Sequence, residues 1–240
     1  MSVIYEPRGK AREYSSLAVN LYTGCGHGCE YCYAPAAIGV SKNTFANPEP
    51  REGIIEKLIM DSRRLAEQNE HGPVLMCFTC DPYQPIDEQY RLTRQAIQVL
   101  HSHNIKVLIL TKGGRQAGRD FDLLTVGDWF GVTLTNLDDA FSLKWEPLAA
   151  LPDARINSLH CAHDKGIKTW VSLEPVLYPE ITLEIIRKTH NFADMFKVGT
   201  LNYHSHAKTI DWHKFALDVK KLLSELNCNY YLKDDLRRWL

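Results

Sequence analysis

The chain has 240 residues, 45% of them hydrophobic, which is enough to bury one large core without a second domain. Lys and Arg total 28 against 29 acidic residues, so no global positive charge marks a long phosphate backbone as the partner. Seven cysteines, an odd number with three in one short run, argue against a secreted disulfide framework, and no apolar run reaches the length of a bilayer span. These features predict a cytoplasmic protein in a reducing setting, with no membrane partner.

One domain over residues 1–240 is expected, with 1–16 as an N-terminal extension and 201–240 holding a C-terminal helix, a short strand and a tail. Apolar, β-rich runs predict strands at Leu17–Thr23, Val74–Thr79, Lys106–Thr111, Trp129–Thr135, Lys168–Leu173, Met195–Gly199 and Asn229–Leu232. Between them Ile54, Leu58, Ile59 and Leu65 share one helical face, as do Leu92, Ala96, Val99 and Leu100, and later Phe215, Val219, Leu222 and Leu226. Strands alternating with helices predict an α/β fold with a parallel sheet. Polar residues gather at the predicted C-terminal strand ends, where barrel folds build their sites.

The first strand runs into Cys25, Cys29 and Cys32, three thiols within eight residues. Thiolates so crowded repel one another and call for bound positive charge, either zinc or the iron of an iron-sulfur cluster. Gly24, Gly26 and Gly28 let the loop take torsions closed to other residues and wrap a compact centre. A zinc knuckle needs a fourth ligand, which Cys77 or Cys80 could supply. Three cysteines alone would leave one iron of a 4Fe-4S cube without a protein ligand, open to a substrate or cofactor.

The spacing Cys-x-x-x-Cys-x-x-Cys, with Tyr31 just before the third cysteine, resembles the cluster loop of the radical S-adenosylmethionine superfamily. The fuller string from Gly24 to Ala34 is similar to the branch that includes spore photoproduct lyase and its photolyase-like relatives. The resemblance implies a partial (β/α)6-type TIM barrel, open on one side, with the 4Fe-4S cluster loop after the first strand. It also implies S-adenosylmethionine as cofactor, chelating the iron that Cys25, Cys29 and Cys32 leave free. A flavodoxin or ferredoxin would be the electron donor. Reductive cleavage would then yield a 5'-deoxyadenosyl radical that takes hydrogen from a substrate, with a nucleobase, nucleotide or DNA lesion as the class.

The second strand exits through Cys77-Phe-Thr-Cys-Asp-Pro-Tyr-Gln-Pro85, similar to the Thr-Asp-Pro-Tyr-Gln-Pro stretch of those relatives. The resemblance makes Thr79, Cys80 and Asp81 candidates for the methionyl amino group, alongside Tyr31 in the cofactor-binding set. For Asp81 a plain turn cap before Pro82 weighs equally. It also makes Cys77 or Cys80 a candidate catalytic hydrogen donor. Strand alternation predicts that at most one of the two faces the barrel interior, Cys77 being the better candidate for a structural thiol.

The third strand ends in Thr111-Lys112. By resemblance the Lys112 ammonium pairs with the carboxylate of S-adenosylmethionine; a lysine snorkelling to solvent is the bland alternative. Arg119 and Asp120 read as an ion pair. Lys112, Arg94, Arg115 and Arg119 form either a basic patch or scattered surface charge. On the fourth strand Thr133 and Thr135 share a face and could reach a ribose; Glu146-Pro and Arg155 resemble the family's Glu-Pro-x-x-x-x-Pro-x-x-Arg segment, with a structural ion pair as the alternative. Ser172 and Glu174 share a face at the end of the fifth strand, as contacts for cofactor or substrate.

Lys197, Asn202 and Lys233 are weaker candidates for substrate recognition. His204, His206 and His213 read as a solvated loop rather than a metal site. Cys161 and Cys228 stand alone and read as buried or inert. From another class of function, a non-catalytic zinc- or iron-sulfur-binding regulatory module predicts metal binding without affinity for S-adenosylmethionine.

Overall fold

The computed structural model describes residues 2–69 and 72–240. Among these, eight strands form one sheet in sequence order: β1 (Ile4–Tyr5), β2 (Leu17–Val19), β3 (Val74–Met76), β4 (Val107–Thr111), β5 (Trp129–Thr133), β6 (Lys168–Leu173), β7 (Met195–Val198) and β8 (Tyr230–Leu232). β2 through β8 run parallel, and helices cross over between them: Ile54–Glu67, Leu92–Ser102, Pro152–Asp164, Pro179–Thr189 and Trp212–Glu225. Parallel strands cannot be joined by a tight hairpin, so each crossover helix covers the sheet, and the strands between read as near-continuous apolar runs. The barrel is open, its strand order beginning at β1 and ending at β8.

The parallel strands number seven, one for each apolar run that the sequence marks, and they leave the barrel partial. The N-terminal extension is part of the sheet: Ile4 and Tyr5 pair antiparallel with Val19 and Ala18. Two residues carry too short a pattern for periodicity to register them as a strand. β2, β3, β5 and β7 stop short of the C-terminal ends of their apolar runs, whereas β4, β6 and β8 end where the runs do, at Thr111, Leu173 and Leu232. β3 stops at Met76 because Cys77 takes a left-handed conformation, φ 64°. The Phe78 and Thr79 amides then donate to Asn20 Oδ1, both at 2.9 Å, rather than to a neighbouring strand.

Below these ends the core is apolar. Val19, Met76, Ile109, Phe130, Val171 and Phe196 are fully buried, and area removed from water is the main driving term for such a sheet. At Gly131 a β-carbon would lie 2.2 Å from Trp170 Nε1, so the indole fills the space over that residue and donates to the Ile109 carbonyl at 2.9 Å. Two helical expectations need correction. Ile59 is exposed, because the buried stripe of its helix runs Ile54, Leu58, Asp61, Ser62, Leu65. Cys161 is exposed on the outer side of its helix, and Cys228 is half-buried.

Candidate functional site

All three loop cysteines line one cavity of about 370 Å³ at the C-terminal ends of the strands, within the usual range of small-molecule sites, about 300–1,000 Å³. The loop is held by the segment after β3. Gln84 Oε1 accepts from the Gly26 amide at 2.8 Å, and Gln84 Nε2 donates to the Gly24 carbonyl at 3.0 Å. His27 is buried, with Nε2 3.2 Å from Asp81 Oδ2 and Nδ1 3.2 Å from the Leu148 carbonyl. The two motifs legible in the sequence are thus one structure, the second bracing the first. Only Gly28 of the three loop glycines takes a left-handed φ, 66°. Gly24 is required for a different reason, since a β-carbon there would sit 2.2 Å from the Phe45 carbonyl oxygen, while Gly26 has ordinary space.

The donor set fits a cationic cluster. Burial pushes the Cys25 thiol well up and Cys29 to about 12, with Cys32 also raised. Three desolvated thiols ionise together only when positive charge compensates them, as iron or zinc does. No three or more His, Cys, Asp or Glu side chains among the described residues converge as a single metal ion needs. A compact multi-iron centre tolerates wider spacing of its ligands than one tetrahedral ion.

Asp81 lines the cavity and also braces its wall. Oδ1 accepts from the Tyr83 amide at 2.8 Å and the Thr111 hydroxyl at 2.6 Å, and Oδ2 from the Lys112 amide at 2.7 Å. Burial alone would raise its pKa, but His27 and these donors outweigh it and hold the carboxyl at about 2. Lys112 lines the cavity, and its ammonium, 5.8 Å from the centre of the Tyr31 ring, has no hydrogen-bond or ion-pair partner among the described residues. Burial would lower its pKa, yet the negative charge of Cys29 and Glu146 raises it.

Tyr31 also lines the cavity, with its hydroxyl donating to Glu146. Glu146 and Arg155 form the expected pair at 2.6 Å, each 1% exposed, and Arg155 Nη1 donates to the Thr133 carbonyl at 3.1 Å.

Thr79, Thr133, Ser172 and Glu174 line the same cavity. Thr135 does not. β5 ends at Thr133, so alternation no longer carries Thr135 to that face, and its buried hydroxyl lies 3.4 Å from Asn136 Nδ2. Cys77 and Cys80 both line the cavity, against the expectation that one would face away, because the left-handed turn at Cys77 ends the alternation.

Sequence reasoning missed Tyr14, which reaches in from the N-terminal segment. Its hydroxyl lies 2.6 Å from Glu174 Oε2 and 3.1 Å from Ser172 Oγ. Lys233, 1% exposed, also bonds Glu174 and lies 4.2 Å from the centre of the Tyr14 ring. Tyr33, Phe78 and Tyr203 form an aromatic rim, with ring centres 6.1 Å and 6.5 Å apart. No motif marks Tyr14, and only its aromatic type close to the first strand hinted at a role.

Of the weaker candidates, Lys197 lies outside the cavity and donates to the Glu13 and Tyr14 carbonyls, both at 3.1 Å. Asn202 donates to Asp235 at 2.9 Å. The basic patch does not form: Arg119 pairs with Asp87 at 2.6 Å and Asp120 at 2.9 Å, and Arg94 with Asp120 at 3.1 Å and Asp122 at 2.7 Å. His206 bonds the Leu177 carbonyl and His213 that of Trp239. No helix is long and apolar enough to cross a membrane among the described residues.

Comparison with known proteins agrees with this architecture. An uncharacterized protein of Methanocaldococcus jannaschii is 27% identical over 195 residues, 78% of this chain and 71% of that one. An uncharacterized protein of Acidianus two-tailed virus is 26% identical over 266 residues, covering 95% of this chain and 85% of the other. Among solved structures, Streptococcus suis SuiB bound to S-adenosylmethionine has a TM-score of 0.68 at 16% identity over 90% of this chain, which spans about half of SuiB, 49%. Spore photoproduct lyase complexed with dinucleoside spore photoproduct has a TM-score of 0.71 at 14% identity, over 95% of this chain and 80% of that one. At such identities the two structures speak to the fold alone. The family model described as the Radical SAM superfamily matches residues 19–193, from the end of β2 almost to β7. The chain therefore belongs to the radical SAM superfamily, a membership that implies an enzyme using a 4Fe-4S cluster and S-adenosylmethionine.

Proposed function

We propose that this protein abstracts hydrogen from a nucleobase or nucleotide, in the manner of a spore photoproduct lyase-like enzyme. The observation that carries the reading is the single cavity shared by the three loop cysteines, the Lys112 ammonium and the polar ends of β5 and β6. Cys25, Cys29 and Cys32 would hold the cluster. When bound, the cluster and S-adenosylmethionine supply a 5'-deoxyadenosyl radical, and the hard chemistry belongs to them.

The chain's own residues bind, orient and exclude water. Lys112 offers a desolvated cation to a carboxylate, and such a charge-assisted bond is stronger than a neutral one. Thr79, Thr133 and Ser172 offer hydroxyls, and Glu174, fixed by Tyr14 and Lys233, offers an acceptor to hydroxyl or amino groups. Asp81 acts through the loop rather than on the cofactor. Cys77 or Cys80 returns a hydrogen atom to the product.

Support for a nucleobase comes from the rim. Tyr33, Phe78 and Tyr203 present aromatic faces beside Arg8, and stacking a base on such a ring contributes about 1–3 kcal/mol. With a formal net charge of −1 the protein has no footprint for a long phosphate backbone, so the favoured substrate is nucleotide-sized.

The test is anaerobic reconstitution with iron and sulfide, reduction with dithionite, and chromatography for 5'-deoxyadenosine after S-adenosylmethionine is added. Cys29→Ala serves as the control. Cysteine-dependent 5'-deoxyadenosine, with deuterium passing into it from a labelled nucleotide, supports the reading. A fully reconstituted sample that leaves S-adenosylmethionine intact overturns it. Cleavage without deuterium transfer from any nucleotide overturns the substrate class alone.

A further inference from the structure

Cys77 and Cys80 are two buried thiols on one cavity wall, 5% and 9% exposed. On a continuing strand, residues three apart point to opposite faces. Here the chain departs from β3 at Cys77, whose φ of 64° is uncommon for any residue with a β-carbon. That conformation is over-determined by its surroundings. The Cys77 amide donates to the Val19 carbonyl at 2.8 Å, and Asn20 Oδ1 takes both of the next two amides. A backbone outlier held this firmly is a reason to look for function. Its outcome is to place both thiols of a Cys-x-x-Cys segment on the wall of one cavity, close enough for Cys80 to act on the Cys77 thiol. Burial and the neighbouring Cys80 thiol push Cys77 well up.

We propose that Cys77 and Cys80 form a redox-active dithiol that closes to a disulfide on the wall of the cavity. Cys80, the more accessible of the two, exchanges with a low-molecular-weight disulfide to give a mixed disulfide and one small thiol. Cys77 then displaces the second small thiol and closes the protein disulfide. The two protein thiols lose two electrons and two protons in all, and the small disulfide is reduced to two thiols. The pairing stands on the wall geometry alone. Its consequence for turnover rests on the hydrogen-donor reading above: the closed disulfide has no S–H to give, so the redox state of the pair sets whether the donor is present.

The cluster-loaded protein is equilibrated anaerobically in glutathione buffers of increasing disulfide-to-thiol ratio, quenched in acid, alkylated and digested with trypsin. Residues 65–91 form one tryptic peptide, in which Cys77 and Cys80 are the only cysteines. This peptide is expected to lose two hydrogens and to take no alkyl group once the ratio is high. Exposed Cys161 reports the background in the same digest, carrying a single glutathione at most. In Cys80→Ser, Cys77 is expected to remain alkylatable over the same ratios. The proposal is overturned if the 65–91 peptide takes two alkyl groups at every ratio. It is equally overturned if either cysteine is found bonded to the peptide of Cys25, Cys29 or Cys32.

Discussion

The Tyr14 hydroxyl lies 2.6 Å from Glu174 Oε2, joining residues 160 positions apart and fixing the N-terminal segment against the end of β6. Glu174 also bonds Lys233, which is 1% exposed and has Glu13 3.7 Å away as its second acidic neighbour. Segments from opposite ends of the chain thus meet on one carboxylate at the open side of the barrel. Tyr14→Phe keeps the ring over Lys233 and removes one donor. It is expected to cost about 1 kcal/mol in urea unfolding. Glu174→Ala leaves a buried lysine with only a distant partner, and the expected cost rises to about 3 kcal/mol. Equal costs for the two substitutions would show that Lys233 does not depend on Glu174.

Lys197 gives a pH signature. Burial, and then repulsion from Lys233, lowers its pKa from 10.5 to about 8. The unfolded chain therefore holds a proton between about pH 8 and 10.5 that the folded chain has released. Stability rises with pH wherever the unfolded state binds more protons, so the penalty is full below pH 8 and fades as the pH approaches 10.5. Unfolding of wild type and Lys197→Met is measured at pH 7 and pH 10, and their difference isolates this group. Wild type is expected to gain about 2 kcal/mol relative to the variant across that range. A difference that does not move with pH would mean that the lysine titrates normally.

These two contacts also show where sequence reading stops. The cysteine loop, the Asp-Pro-Tyr-Gln-Pro segment and the alternation of strands and helices are local patterns, and local patterns survive in one dimension. Tyr14 and Asn20 matter through partners far along the chain, and no spacing rule marks them. At β2, β3, β5 and β7 the predicted end lies past the observed one, because the strand-like pattern continues beyond the last paired residue. At β3 the Asn20 side chain captures the next two amides, and at β5 the alternation stops one pair short of Thr135. The Glu146–Arg155 pair was legible because Glu146-Pro and Arg155 fit a family-like spacing, and two opposite charges that become buried need one another as partners.

That pair supports the cluster loop from below, because Glu146 also accepts from the Tyr31 hydroxyl between Cys29 and Cys32. Removing one partner strands a charge that is 1% exposed. Arg155→Met is expected to cost about 3–5 kcal/mol. Adding Glu146→Gln should recover part of that, since the stranded charge is gone. Guanidinium unfolding of the single and double variants measures the coupling, and strict additivity would mean the two side chains stabilise the fold independently.

The loop glycines make separable predictions, read out as iron and sulfide bound per chain after reconstitution rather than as activity. At Gly24 a β-carbon would lie 2.2 Å from the Phe45 carbonyl oxygen, a backbone atom that moves only if the segment moves with it. Gly24→Ala is therefore expected to lose most of the cluster. Gly28 has φ 66° but enough room, its nearest neighbour being Pro147 Cγ at 3.4 Å. The cost of Gly28→Ala is backbone strain alone, about 1 kcal/mol, and the expected result is a cluster that still assembles in a less stable protein. Gly26 has an ordinary conformation, and a β-carbon there would meet Pro85 Cδ no closer than 3.6 Å. Gly26→Ala should bind iron as wild type does. If Gly24→Ala loaded fully while Gly26→Ala did not, the close approach to Phe45 would not be what shapes the loop, and the bracing of Gly26 by Gln84 would take its place as the controlling contact.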